Sequence, residues 1–313
     1  MNYTLHQLQV FLKIVETKSI TKAAEELNLT QPAVSIQLRK LQDQFDIPLT
    51  EIIGRQLYIT HFGAEIALSA QRVLNEIKAI NYQSKTFKGI LSGKLTLAIV
   101  STGKYVMPYF LSDFLHQNKG IDLDMDVTNK TKVVKSLVNN EVDFALVSIL
   151  PESIAIQSEI LLDNNWYLVG NKSLVAELQE SSIDVFQHYP LIYREEGSAT
   201  RLVMENYLKK QGLSSVKKIQ LTSNEAVKQA VISGMGISIM PIIGLKNELE
   251  KGDLQLIPLK GFPIQSKWYL VWLTNKTLSP VAEAYVNYIK AEKLKLKNNC
   301  FSWIEHYLSE KKL

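Results

Sequence analysis

Apolar positions in the N-terminal segment repeat with the period of an α-helix. Leu5, Leu8, Phe11, Leu12 and Val15 form one stripe, and Thr4 with Gln7 is placed as a capping box at its start. A second, shorter helix begins at Ser19 or Thr21. Its Ala23, Ala24 and Leu27 make a contact face small enough for another helix to approach closely. Asn28-Leu29 reads as the turn. Thr30 caps a third helix with Pro32 in its first turn, where a missing N–H does no harm. Val34, Leu38, Leu41 and Phe45 fall within roughly a 60° sector of this helix, its core side. Pro32, Ser35, Ile36 and Arg39 project away from that side, and Gln31 flanks the exposed surface.

That outward face carries the groups that read a DNA major groove. Gln bonds adenine, Arg bonds guanine or phosphate, a Ser hydroxyl serves base or backbone, and an apolar tip such as Ile36 touches a thymine methyl. The face fits the solvated side of a small helical bundle equally well. Leu57-Tyr58-Ile59 behind Gly54-Arg55-Gln56 tips the balance, because a glycine turn beside a strand makes a wing. Arg55 then suits the narrow, electronegative minor groove. From 62 to 87 there is no proline, and Ile66, Ala70, Val73, Ile77 and Ile80 step by four and three. This is a heptad seam that favours two helices side by side. A helix packed on its own domain has nearly the same period over so few heptads. Gly89 and Gly93 bracket the exit and predict a hinge.

From Leu95 the pattern changes to strands alternating with helices. Strands are predicted over 95–100, 121–127, 142–147, 166–169, 191–193, 219–221, 236–241 and 267–273. Helices are predicted over 106–117, 132–139, 200–211, from Asn224, and from Ser279-Pro280. Within 121–127, aspartates alternate with apolar residues, a strand with one wet face. The alternation implies a mostly parallel sheet with helices on both faces. Two α/β lobes, with the chain crossing between them twice, leave a cleft at the strand C-termini. Several segments aim donors there: Ser101-Thr102, Thr128-Asn129, the run Gly197-Ser198-Ala199-Thr200-Arg201, and Ser223-Asn224. Each alone reads as ordinary helix capping. Together, with the Arg201 guanidinium among them, they point to a small anionic ligand. The candidate effector-binding residues are Ser101, Thr102, Thr128, Asn129, Ser198, Thr200, Arg201 and Asn224. Phe301, Trp303, Ile304, Tyr307 and Leu308 predict an extra amphipathic helix.

Composition adds limits rather than an identity. The chain has 313 residues, 46% hydrophobic and 21% charged, enough for several domains with a real core. The net charge of +4 is too mild to mark a nucleic-acid binder, and residues 1–90 hold ten Lys/Arg against eight Asp/Glu. The single cysteine, Cys300, excludes an intrachain disulfide and fits a reducing cytoplasm. Neither an export leader nor a membrane span is apparent. Catalytic signatures are missing as well. There is no phosphate loop and no G-x-S-x-G elbow, Gly234-x-Gly236 lacks a third glycine, and the histidines at 6, 61, 116, 188 and 306 have no metal spacing. No cofactor or metal is expected. The alternatives are an enzyme with an accessory DNA-binding domain, or a transport receptor.

Ser19-x-Thr21-x-Ala23-Ala24-x-x-Leu27, followed by Thr30-Gln31-Pro32-Ala33-x-Ser35-x-Gln37-Leu38-x-x-Leu41, resembles the DNA-binding domain of LysR-type transcriptional regulators. Val100 to Tyr105, Arg194 to Arg201 and Ser223 to Val231 resemble the effector domain of the family's CbbR-like branch, which controls carbon-fixation operons. The likeness covers about 4–295. It implies that Gln31, Pro32 and Ser35 meet the major groove and Arg55 the minor groove. It also implies phosphorylated or nucleotide-type effectors and a tetramer built from dimers. Ile36 stands where the family often has Arg. The expected fold is α plus α/β: a winged helix-turn-helix over 1–60, a dimerising linker helix over 61–90, and a two-lobed, periplasmic-binding-protein-like effector domain over 91–296. Lobe I is about 91–162 and 268–296, lobe II about 163–267, and a C-terminal helix follows over 297–313.

Overall fold

A computed structural model describes residues 2–54, 56–86, 91–152, 154–178, 184–213 and 217–311. The chain divides into two compact units, Met1–Ile90 and Leu91–Leu313. The first holds α1 (Leu5–Thr17), α2 (Ile20–Leu27), α3 (Gln31–Gln42), β1 (Thr50–Ile53), β2 (Gln56–Ile59) and α4 (His61–Thr86). Helix starts follow the local chemistry. Both bonds of the Thr4–Gln7 capping box are formed, Ser19 accepts from the Lys22 N–H, and Thr30 accepts from the Ala33 N–H. Lys18 and Asn28 end α1 and α2 in the left-handed region. Phe11, Ile14, Ala23, Val34, Leu41 and Leu49 are fully buried in one core. Phe45 is a correction. α3 stops at Gln42, and Phe45 enters the core from the turn beyond it, stacked on Tyr3 and edge-on to Phe62. Thr60 caps α4 by accepting from Gly63 N–H at 2.9 Å, and a side chain at Gly63 would strike the Leu49 carbonyl.

Ala23 has no exposed surface. Ala23→Leu is therefore expected to overpack α2 against its neighbours and cost about 1–3 kcal/mol of stability. A melt of the N-terminal unit checks this; an unchanged transition would mean that the contact is loose.

The second unit begins with β3 (Ser92–Val100), a 3-10 turn (Ser101–Tyr105), α5 (Met107–Gln117), β4 (Gly120–Thr128), α6 (Lys130–Val138) and β5 (Phe144–Val147). β6 (Ile156–Asn171), α7 (Lys172–Glu177), α8 (Val185–His188), β7 (Leu191–Arg194), α9 (Ala199–Lys210), β8 (Lys218–Leu221) and α10 (Asn224–Ile232) follow. The chain closes with β9 (Ser238–Pro241), a second 3-10 turn (Ile242–Gly244), α11 (Lys246–Lys251), β10 (Leu254–Leu256), β11 (Ile264–Leu273), α12 (Pro280–Phe301) and α13 (Trp303–Lys311). Strand order in the main sheet is β10-β6-β11-β5-β3-β4, with β9 also on β6, while β7 and β8 form a separate parallel pair.

The expectation of a mostly parallel sheet is corrected. β3 pairs in parallel with β4 and β5, but β6 and β11 form a long antiparallel ladder that runs through both lobes. The polar pair Asn164–Ser266 within that ladder interrupts the apolar pattern and hides its length. β4 is a sheet edge with its aspartates exposed, but Leu123 and Val127 are exposed too, so it is wet on both faces rather than one. Lobe I packs around Phe110, Phe144, Trp268 and Tyr285. Lobe II packs in two clusters, around Trp166 and Phe186 and around Val169 and Leu245.

Candidate functional site

On α3, Gln31, Pro32, Ile36 and Arg39 are exposed and Ser35 is half-buried. Ile36 is 52% exposed, although apolar burial is what ordinarily shapes a helix face. The exposed Thr30 has its hydroxyl engaged in capping. The first turn of α3 carries no acidic residue and the last carries Arg39 and Lys40. The positive helix N-terminus is therefore open to a phosphate. β1 and β2 pair antiparallel around Gly54, whose φ of 56° favours glycine. Ile52, Ile53 and Tyr58 are exposed on this hairpin. Arg55 lies outside the described residues. β1 went unpredicted because its apolar residues face outward and leave no alternation.

The heptad residues of α4 divide into two groups. Ala70 is buried in the unit's own core and Ile66 packs against that core. Val73 and Ile80 are exposed at 43% and 63%, and Ile77 is half-buried. The N-terminal part of the predicted seam thus faces its own domain. Gly89 lies outside the described residues.

In the second unit, the C-terminal ends of β3 and β4 stand side by side, Val100 opposite Thr128. Ser101 and Asn129 follow them. Across from these ends stand α9, which follows β7, and α10, which follows β8. Two bridges join the lobes here. Asn224 Nδ2 donates to Ser101 Oγ at 3.1 Å, and the Thr131 N–H donates to the Gly197 carbonyl at 3.3 Å. One turn along, the Lys228 ammonium lies 5.8 Å from the centroid of the Tyr105 ring. Ser101–Asn224 and Tyr105–Lys228 are therefore successive rungs between the first 3-10 turn and α10.

Several polar groups are buried here. Thr102, Ser198, Thr200 and Asn224 are all buried, and Asn224 Oδ1 and Ser148 Oγ have no hydrogen bond among the described residues. Ser198 stands at the N-cap of α9 without making a cap bond, which leaves the first N–H groups of that helix unanswered by its hydroxyl. Asn129, by contrast, accepts from the Lys132 N–H as an ordinary cap. Groups buried without partners cost stability unless a ligand or water answers them.

Arg201, expected among the donors of the cleft, is already engaged by partners of lobe II. Its Nε bonds Glu205 and its Nη1 bonds Gln220, both at 2.8 Å, with Glu196 at 3.8 Å. It lines a groove of about 770 Å³ with Lys130, Thr131, Pro151, Ser198 and Asn206. A guanidinium four residues before Glu205 finds that carboxylate first. The buried cations of the junction are Arg194 and Lys228. Arg194 is held by both carboxylate oxygens of its neighbour Glu195, and Lys228 by Glu248 at 2.8 Å and Glu225 at 3.2 Å. Burial lowers the pKa of Lys228, but Glu248, Tyr105 and Glu225 outweigh it and hold the pKa above the ordinary lysine value. Burial raises the Tyr105 hydroxyl in turn. The spacing contains the clue: Tyr105 and Lys228 each stand four residues after a recognised polar residue.

Residues 5–64 match the family described as bacterial regulatory helix-turn-helix protein, lysR family, and residues 88–293 match the LysR substrate binding domain. The chain belongs to the LysR family. It is 35% identical over 292 residues to the HTH-type transcriptional activator CmpR of Synechocystis sp., covering 93% of this chain and 96% of that one. It is also 35% identical over 294 residues to the RuBisCO operon transcriptional regulator of Allochromatium vinosum, covering 93% and 97%. Among solved structures, the Synechocystis PCC6803 CcmR regulatory domain in complex with 2-PG shares 32% identity at a TM-score of 0.59, over 64% of this chain and 98% of that domain. Full-length CbnR complexed with its target DNA shares the fold, at a TM-score of 0.68 and 18% identity over 92% of this chain and 99% of CbnR. This LysR protein is thus a CbbR-like, DNA-binding transcriptional regulator with a small-molecule effector domain rather than an enzyme. The periplasmic-binding comparison describes an analogy of shape. Among the described residues no helix is long and apolar enough to cross a membrane.

Proposed function

We propose that this LysR protein controls carbon-assimilation genes in the cytoplasm, and that a small anionic metabolite bound between its lobes resets operator binding and DNA bending. Thr30, Gln31, Pro32, Ser35, Ile36, Arg39 and Arg55 are the DNA-contacting set. Pairing of α4 through Val73, Ile77 and Ile80 makes a dimer that reads a pseudo-palindrome, and two dimers make a tetramer. The effector is a small phosphorylated or carboxylated anion of the kind named for the CcmR complex, 2-PG. Ser101, Thr102, Thr128, Ser198, Thr200 and Asn224 receive it, with Asn129 and Arg201 shaping the walls.

The observation that carries this reading is the pairing of bridged lobes with buried polar groups that have no partner among the described residues, Asn224 Oδ1 and Ser148 Oγ. Because Arg194, Arg201 and Lys228 are already paired with carboxylates, attraction for the anion comes from helix N-termini and hydroxyls. A ligand that touches both lobes favours the closed arrangement and so shifts the population of assemblies on DNA. Genome-wide footprinting with and without 2-PG tests the reading. Occupied sites are expected upstream of carbon-fixation genes, with protection that changes in length when 2-PG is added. Sites unrelated to such genes, or turnover of a metabolite by the purified protein, would sink it.

The exposed Ile36 carries a separate prediction. Ile36→Ala is expected to weaken binding by about 1 kcal/mol per half-site, roughly fivefold. Replacing the contacted thymine by uracil should weaken the parent by a similar factor and leave the variant unaffected. A variant that still discriminates thymine from uracil places the methyl contact elsewhere.

A further inference from the structure

The family match ends at residue 293, yet the chain continues as an ordered helical pair. The last turns of α12 belong to lobe I. Leu296 and Phe301 are buried in its core, and Phe301 packs edge-on against Tyr109 at 5.3 Å and stacks on Phe110 at 6.0 Å. On the same helix Lys293 pairs with Glu159 and Lys297 with Asp163 at 3.4 Å, both on β6, the strand that passes between the lobes. After Ser302 the chain turns onto lobe II. Trp303, Ile304, Tyr307 and Leu308 pack on the cluster holding Ile242, Leu245 and Leu249, and the Lys246 ammonium lies 5.7 Å from the centroid of the Trp303 ring. Ile304 packs against both cores.

The neighbouring turn Ile242–Gly244 is shared in the same way. Ile242 belongs to the lobe II core and Ile243 to the lobe I core. Gly244 lies so close beneath Tyr105 that an added Cβ would come within 2.7 Å of the ring. Tyr105 leads to Lys228, and one turn away Ser101 meets Asn224. A continuous path therefore runs from the apolar C-terminal pair, through the shared turn, to the polar bridges of the cleft.

We propose that the end of α12 together with α13 is a strap that holds the two lobes in their bridged arrangement, so that the effector meets a largely closed cleft. Its contacts with both cores exist together only while the lobes keep this relation. Without the strap, lobes joined by β6, β11 and the shared turn sample more open arrangements. The apparent affinity for a ligand that needs the closed form falls in proportion to the closed population. If that population drops to about a tenth, the apparent Kd rises about tenfold. The affinity part of the proposal rests on the cleft being the effector site; the geometric part does not.

The test measures interlobe distance by pulsed electron resonance in the full chain. Spin labels are placed at Lys119→Cys in lobe I and Lys210→Cys in lobe II, both exposed, with Cys300→Ala removing the native thiol. Labelled chains are diluted with unlabelled ones to suppress distances between subunits. The parent is compared with a chain ending at Ser302, with Trp303→Ala, with the milder Lys246→Met, and with the exposed control Glu305→Ala. The expected result without ligand is a broader distribution shifted to longer distance in the first two, a smaller shift in Lys246→Met, and none in the control. Distributions that superimpose on the parent in all folded variants overturn the strap. Titration with 2-PG is the second readout. A roughly tenfold weaker Kd in the strap variants supports the coupling, and equal Kd values despite broadened distances overturn it. A parent that does not bind 2-PG while the distances still broaden overturns the ligand reading and leaves the strap supported.

Discussion

Asn224→Leu is expected to leave the protein folded and able to bind its operator, but to weaken the effector response by about 10- to 100-fold. Asn224 is 97% buried, because only 3% of its surface is exposed, and its amide joins the lobes through Ser101 Oγ. Leucine fills much the same volume and removes both the bridge and the acceptor that has no partner among the described residues. A hydrogen-bond partner lost in a buried site costs about 1–3 kcal/mol, which is the stated range in affinity. Because the substitution lies in the second unit, the intrinsic affinity of the winged helix for DNA should be unchanged. Fluorescence titration with effector and operator-shift assays in its absence separate the two effects. An intact effector Kd would remove Asn224 from the site, and a lost operator shift would point to a structural role.

Gly197→Ala should produce two losses that can be pulled apart. Gly197 has φ of 80°, a conformation that costs an alanine about 1–2 kcal/mol whatever the lobes do. That part belongs to the stability of the effector unit and should lower its melting temperature by about 2–4 °C per kcal/mol. The second part is steric. The new Cβ would stand 2.6 Å from Thr131 Oγ1, a side chain of the opposite lobe. This collision acts only when the lobes approach, so it should appear as weaker effector binding. Adding Thr131→Ala removes the offending oxygen and leaves φ unchanged. The double variant is therefore expected to recover effector affinity while keeping its lowered melting temperature. Recovery of both, or of neither, would mean that lobe closure does not bring these residues together.

The parts of the fold legible in the sequence are those whose signals are local. Thr4, Ser19, Thr30 and Ser279 each cap the helix that follows, and each acts within three residues of itself. The α3 stripe of Val34, Leu38 and Leu41 needs only one helix to be seen, whereas the α1 stripe is shifted: Leu5 is exposed, and Val10 and Ile14 are buried because α2, α3 and α4 pack on that side. Legibility fails where a residue's environment is set by distant chain. β1 carries Ile52 and Ile53 outward, so it has no burial pattern. The β6–β11 ladder is long, but its polar pairing of Asn164 with Ser266 reads as a break until both strands are placed together. Ala70 faces its own core because α1 packs against α4, which a heptad count over a few turns cannot distinguish from a dimer seam. Phe301, expected to open an extra helix, instead ends α12, since nothing in the run through Lys293, Lys295 and Lys297 marks a helix end.

The candidate site shows the same division. Ser101, Thr102, Ser198, Thr200 and Asn224 stand at helix starts, where sequence alone finds donors, and the structure buries or bridges each of them. Arg201 lines the groove beside Lys130 and Thr131, but its charge says nothing about which carboxylate lies nearest. Glu205 and Gln220 hold it in lobe II. Lys228 is held by Glu248, twenty residues on, a partner that only the fold brings near, and Arg194 is buried by the packing around β7.

The most direct measurement of the central claim is the bend of operator DNA, read by energy transfer between its ends as small anions including 2-PG are titrated onto the parent and Asn224→Leu. The account predicts a saturable change in bend for the parent, shifted to at least tenfold higher ligand concentration in the variant. A bend that responds identically in both proteins, or in neither at saturating ligand, would contradict it.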